Sequence, residues 1–342
     1  VYKTMGAPSE VGGFIKNGET AVEEYNDPMT LEQYADKMDK GDSSKAFTMK
    51  YLKKLTRLDK PNQWPLDVYS SQYFKKNIDS VECSFMDEYM KTIDNNTLEI
   101  FKKNKKAYNT YAKKKHPSYG WKDALSSKIY ATNTIAANTN NGPLYRKCVN
   151  TAEEFLPEDD QMSAVHYLGS VFYKNSDSTM HKRNDYDYAD KLMNAKSSYY
   201  KKKDAESLAS VLKQLEWQSK EWPPNYVAKL DSFKTAYSQD KKYNKMITAQ
   251  AASHLNSQAW IVFENDGDQW PRALKWAAKA YSLAKESEQS EAAVADTYAN
   301  LLYVNSQKTE AIKIQKEAIK KAKELEEDSS GYEETLKKFM RE

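Results

Sequence analysis

The chain has little of what turns and staples require: 10 glycines, 10 prolines and 2 cysteines in 342 residues. So few turn formers argue against an all-β protein, whose strands must reverse direction every few residues. Cys83 and Cys148 lie far apart in sequence. Two such cysteines make no disulfide framework; one bridge in an oxidising compartment and two small buried side chains both fit. No stretch approaches the roughly 20 apolar residues of a membrane span. Nor does one sign of charge dominate: 52 Lys and Arg against 49 Asp and Glu leave a net charge of +3.

Aromatic side chains are plentiful. A chain holding 25 Tyr, 10 Phe and 7 Trp is not disordered, because such residues bury large areas and supply a core. Lysine runs at 102–103, 105–106, 113–115 and 201–203 look basic in isolation. Helical periodicity spreads each run around its helix, and acidic residues recur between them. They read as a solvated helix surface, which speaks against a nucleic-acid partner.

Chemistry-bearing patterns are missing. His116, His166, His181 and His254 are scattered without metal-ligand spacing. There is no cysteine pair at redox spacing, no glycine-rich phosphate loop and no nucleophile elbow. Glu153-Glu154 and Asp159-Asp160 are paired carboxylates whose expected role is solvation and capping at helix ends. The expectation is therefore a non-enzyme with no metal and no cofactor. Asn95-Asn96-Thr97 matches a glycosylation acceptor, a pattern frequent by chance.

Periodicity predicts helix after helix. Residues 1–7 start like a strand broken at Gly6, and a helix fits 8–25. Thr30 caps a helix holding Leu31, Tyr34 and Met38 that stops at Gly41. Phe47, Tyr51, Leu52 and Leu55 mark the next, and Pro65 suits the first turn of a third. A helix follows Asp94-Asn95-Asn96, with Leu98, Phe101, Tyr108 and Tyr111 on one side. Further helices fit 123–138, 144–155, 162–173, 186–200, 205–217 and 226–237. Long helices joined by short turns imply an all-α fold, an α-solenoid or irregular helical array. Trp222-Pro223-Pro224 is the candidate internal boundary, giving segments 29–222 and 223–342.

The last segment is more regular. Ala299, Leu302, Ala311 and Ala318 follow at spacings of three, nine and seven, the small-large-small-small pattern of a tetratricopeptide hairpin. Ala259, Phe263, Ala273 and Ala280 repeat the order across a longer turn at 264–268, with Trp270-Pro271 opening the second helix. Two antiparallel helices approach closely only where small side chains meet. The consensus glycine and closing proline are absent. A final helix over 332–340 would cover the exposed end of the array.

The runs Leu255-Asn256-Ser257-Gln258-Ala259-Trp260-Ile261-Val262-Phe263-Glu264-Asn265, Ala273-Leu274-Lys275-Trp276-Ala277, Asp296-Thr297-Tyr298-Ala299-Asn300-Leu301-Leu302-Tyr303, Glu310-Ala311-Ile312 and Glu317-Ala318-Ile319 resemble the C-terminal tetratricopeptide-like region of certain bacterial thioredoxin-family proteins. Residues 1–7 resemble the final strand of the thioredoxin-like domain, Phe14-Ile15 to Ala21 its last helix, and Gly41-Asp42 the opening of the helical region. The resemblance implies that residues 1–28 are the end of a thioredoxin-like domain otherwise missing before Val1. It also implies a periplasmic or envelope-associated parent protein. The family's redox cysteines would precede Val1, so no redox residue carries over.

The expected function is a protein-interaction scaffold whose partner is a protein or extended peptide, in an envelope complex. In a tetratricopeptide hairpin the first helix lines the concave face, which here selects Ser253, Asn256, Trp260 and Phe263, then Asp296, Asn300 and Tyr303. Amide and aromatic side chains there can hold an extended peptide. Packing of Trp260 and Phe263 between neighbouring hairpins is the competing expectation. A second reading is a glycan-binding outer-membrane lipoprotein that presents Trp64, Trp121, Trp217, Trp222 and Trp270 to sugar rings.

Overall fold

The computed structural model describes residues 18, 21–23, 25–58, 60, 62–74, 78–93, 95–116, 119–221, 225–239 and 244–341. Among them lie seventeen α-helices, one 3-10 turn and no strand. The fold is all-α, an array of helices packed on their neighbours. The strand expected over 1–7, most of the helix expected over 8–25 and the Trp222-Pro223-Pro224 break lie outside the described residues. Among the described residues no helix is long and apolar enough to cross a membrane.

Packing divides the chain into two compact units, residues 1–115 with 119–132 and residues 116–118 with 133–342. The first holds α1 (Leu31–Asp39), α2 (Lys45–Arg57), α3 (Gln63–Tyr73), α4 (Ser80–Tyr89), α5 (Asn95–Lys103), α6 (Lys105–Lys115) and the first part of α7 (Trp121–Asn138). Thr30 and Gln33 form a reciprocal capping box at the start of α1, satisfying orphan backbone groups. Gly41, at φ +98°, lets the chain turn where a side chain would be strained. Aromatic pairs dominate the core: Tyr34 stacks on Tyr51 at 5.1 Å and Tyr69 on Phe85 at 4.3 Å. Two lysines outside those runs are buried. Lys54 is buried and donates to Asp27 O at 2.8 Å. Lys128 is buried with its ammonium 4.8 Å from the Phe101 ring, and burial lowers its pKa to about 8.

The second unit continues through α8 (Gly142–Phe155), α9 (Glu158–Tyr173), α10 (Ser178–Asn194), α11 (Ser197–Glu221) and α12 (Asn225–Gln239). One expected helix, 186–200, is two. Ala195 takes extended backbone angles, and the Tyr200 hydroxyl folds back to donate to Leu192 O at 2.5 Å. The periodic pattern runs through the break because Tyr186, Leu192 and Tyr200 all point into one core. α9 and α10 approach so closely that a Cβ on Gly169 would lie 2.3 Å from Asn184 Oδ1. Asn184 spans the gap, donating to His166 O at 2.9 Å and Ser170 Oγ at 3.1 Å.

The end of the chain forms two helical hairpins, α13 (Met246–Asn265) with α14 (Trp270–Ser287) and α15 (Glu291–Val304) with α16 (Lys308–Glu324). The seam alanines Ala259, Ala273, Ala280, Ala299, Ala311 and Ala318 are all fully buried. α17 (Ser330–Arg341) lays Phe339 against the last hairpin, where its ring stacks on Tyr303 at 4.4 Å.

Candidate functional site

The residues expected on a concave face have different fates. Ser253 is exposed, while Asn256, Trp260 and Phe263 are half-buried along α13. Trp260 packs on Phe263 at 5.2 Å, and the Trp270 indole donates to Phe263 O at 3.1 Å. Phe263 also packs against the hairpin core. In the second hairpin the end of the chain takes two of the three positions. Asp296 accepts from Gln315 at 2.6 Å, and Gln315 also donates to Tyr332 O at 3.0 Å, joining α15, α16 and α17. Burial raises the Asp296 pKa while Gln315 opposes it. Tyr303 lies against Phe339, and Asn300 donates to Asp296 O in its own helix at 2.9 Å. Of these positions only Ser253 is exposed, and the Asn256 side-chain oxygen is buried without a hydrogen-bond partner.

A larger concavity in the same unit lies along α9, α10 and α11. It encloses about 860 Å³, within the range of ligand clefts. Met162, Val165 and Tyr199 give its apolar lining, and Glu158, Asp190, Lys191 and Lys202 are among its charged groups. Its geometry is held from three sides. Gln161 donates to Glu153 O and Leu156 O at 2.8 and 2.9 Å, fixing the turn between α8 and α9. Lys202 and Lys203 of α11 pair with Asp159 and Asp160 of α9. Asp190 of α10 accepts from Arg272 at 2.6 Å and from the Trp276 indole at 2.7 Å, which ties the cleft wall to α14.

Sequence reading missed this cleft, because Tyr199 of α11 and the polar groups of α10 reach Met162 and Val165 of α9 only through packing, and no local pattern joins them. Asp159-Asp160 was the only signal. The pair does sit in the first turn of α9, as the capping expectation had it, and it also binds a neighbouring helix.

Three of the four histidines, scattered in sequence, meet beside α13. The His166 ring stacks on Tyr188 at 4.0 Å, and His254 meets both rings edge-on at 5.3 and 4.9 Å. Asp185 accepts from His166 Nε2 at 2.9 Å and lies 3.4 Å from His181 Nδ1. Ser170 Oγ lies 3.3 Å from the same His166 Nε2. A nucleophilic relay needs the acid on one ring nitrogen and the serine on the other. Here both share one nitrogen, so the trio is not arranged as that relay. Among the described residues no group of three or more His, Cys, Asp and Glu is placed to hold a metal ion.

Burial, reinforced by His166, pushes the His254 pKa down from 6.5 to about 4, with Asp185 opposing. The unfolded chain therefore binds a proton on His254 near pH 6.5 that the folded chain refuses until about pH 4. Stability from this group is complete above pH 6.5 and falls as pH drops toward 4. We expect urea midpoints to be steady from pH 8 to 7 and then to decline. The decline in His254→Gln should be shallower by the histidine's share; parallel curves for the two proteins would contradict the assignment.

The tryptophans make a poor set of sugar platforms. Trp121 is fully buried with its indole donating to Phe101 O at 2.7 Å, Trp270 is half-buried against Phe263, and Trp217 is half-buried beside His116 at 4.6 Å. Trp64 is 41% exposed, and Trp222 lies outside the described residues. No protein-family model matches the chain, and no curated protein or solved structure matches it either.

Proposed function

We propose that the chain is a non-catalytic scaffold that binds another polypeptide, with the α9–α11 cleft as the principal contact. The observation that carries this reading is the make-up of that cleft. It pairs an apolar lining of Met162, Val165 and Tyr199 with charged groups of both signs, and its walls are pinned by buried or paired side chains. A rigid trough of this kind suits an extended segment, because a pre-formed site costs little ordering entropy on binding. The α13 face with Ser253, Asn256 and Trp260 is a second contact of the same scaffold. Resemblance to the helical region of thioredoxin-family proteins supports an envelope setting for the partner.

Panning a random-peptide display library against the whole chain tests the reading. Peptides enriched by the parent should lose at least about tenfold in affinity for Val165→Arg, since a charge and extra bulk then occupy the trough. Asn256→Ala should weaken them less. Enriched peptides that bind Val165→Arg unchanged would remove the cleft from the proposal, provided circular dichroism shows the variant folded.

A further inference from the structure

The lysines at 103–114 do not fit the description of a charge-balanced helix surface. Residues 100–115 contain seven lysines and no acid. α5 and α6 run nearly end to end, since Asn104 N bonds Ile100 O and Tyr108 N bonds Asn104 O. Phe101, Asn104, Tyr108, Tyr111 and Ala112 form the inward face and are buried. Lys103, Lys106, Lys113 and Lys114 are thereby left on the outward side, exposed. Lys103 and Lys106, three residues apart, stand about 5–6 Å apart at Cβ, and Lys113 and Lys114 follow about two turns further on.

Some lysines elsewhere are paired. Lys182, Lys202, Lys245, Lys313, Lys321 and Lys323 each have a carboxylate within 4.0 Å. Among the described residues, Lys103, Lys106, Lys113 and Lys114 make no ion pair. They converge instead on two concavities. One, of about 490 Å³, is lined by Lys103, Lys106 and Lys114 with Ser80 and Thr110. The other, of about 500 Å³, is lined by Lys103, Lys105, Lys106 and Lys113 with Asn109. Asp79 is the one carboxylate lining either, and its Oδ1 already caps α4 by accepting from Val81 N at 2.8 Å and Glu82 N at 3.1 Å.

Five lysines around the single carboxylate of Asp79 leave an excess of positive charge, which an anion relieves. A carboxylate offers one charge and two oxygens. A phosphate group offers close to two charges and three strong acceptor oxygens, which matches three ammonium groups around one concavity. We propose that Lys103, Lys106 and Lys114, with Lys105 and Lys113 across the ridge, form a binding site for phosphate groups. Two adjoining concavities that share Lys103 and Lys106 suit a ligand carrying more than one phosphate.

Tripolyphosphate and lipid vesicles serve as probes on the full chain at 0.15 M salt, in calorimetry and vesicle co-sedimentation respectively. The parent should bind tripolyphosphate if the source is free phosphate, or vesicles containing phosphatidic acid if it is a lipid headgroup. Lys103→Gln/Lys106→Gln/Lys114→Gln should weaken whichever is bound by at least about tenfold. Lys313→Gln/Lys320→Gln/Lys323→Gln removes the same charge from α16 and should change binding less than about twofold. All five classes of failure are legible: no binding of either probe, no loss in the first variant, or equal loss in both variants each overturns the proposal. So does binding of phosphatidylserine vesicles as tight as that of phosphatidic acid at equal charge, and so does binding that persists unchanged at 1 M salt. None of these results bears on peptide capture by the α9–α11 cleft.

Discussion

Trp276→Ala should lower the stability of the hairpin-bearing unit by about 3–5 kcal/mol, the largest effect expected of any single substitution in the chain. Trp276 is fully buried where α14 meets α10 and packs on Tyr186 at 5.2 Å. Removing the ring opens a cavity and also strips the indole N–H from Asp190, which it reaches at 2.7 Å. The Arg272 guanidinium, 5.1 Å from the Trp276 ring and bound to Asp190 at 2.6 Å, loses its contact with that ring. Trp276→Phe separates the contributions, since it keeps most of the bulk and drops only the donor. Its cost should fall well below that of alanine, because Asp190 is 37% exposed and still accepts from Arg272. Urea unfolding followed by circular dichroism at 222 nm reads both. A loss under about 1 kcal/mol for Trp276→Ala would mean that the core closes over the gap and that α10 is held by other contacts.

Asp204→Ala comes second, at about 2–4 kcal/mol. Asp204 is buried in α11, yet it caps α13: its carboxylate accepts from Ile247 N at 2.8 Å, Thr248 N at 3.2 Å and the Thr248 hydroxyl at 2.5 Å. The residue that would cap α13 from its own sequence, Lys245, makes no side-chain cap bond. Alanine therefore leaves two helix-end N–H groups and one hydroxyl without their acceptor, and the two groups of Thr248 are buried away from water that could replace it. Asp204→Asn retains one acceptor oxygen and should cost roughly half as much. If thermal melts place Asp204→Ala within about 0.5 kcal/mol of the parent, the start of α13 must be satisfied another way.

This cap also marks where reading the sequence stops working. Several local signals were legible: the Thr30 cap at the start of α1, Gly41 after its end, and Trp270-Pro271 opening α14. The hairpins were legible because a steric rule governs them, and each seam position tolerates only a small side chain. Asp204, by contrast, acts on residues 43 and 44 positions away. So do Asp190 on Arg272 and Trp276, and Lys202 on Asp159. Long-range polar contacts leave no period and no spacing. The candidate cleft was not legible for the same reason, since Met162 and Val165 of α9 meet Tyr199 of α11 only after the helices have packed. Asp296 and Tyr303, selected from the hairpin pattern alone, lie where the last helices pack: Asp296 accepts from Gln315 and Tyr303 stacks on Phe339.

Cys83 and Cys148 are both free and buried, and burial pushes each thiol pKa up to about 11. A neutral, inaccessible sulfur is inert, since alkylating reagents attack the thiolate. Cys83 belongs to the first compact unit and Cys148 to the second. The protein thus carries one silent chemical reporter per unit, and the rate at which each becomes labelled measures how often that half of the chain opens on its own.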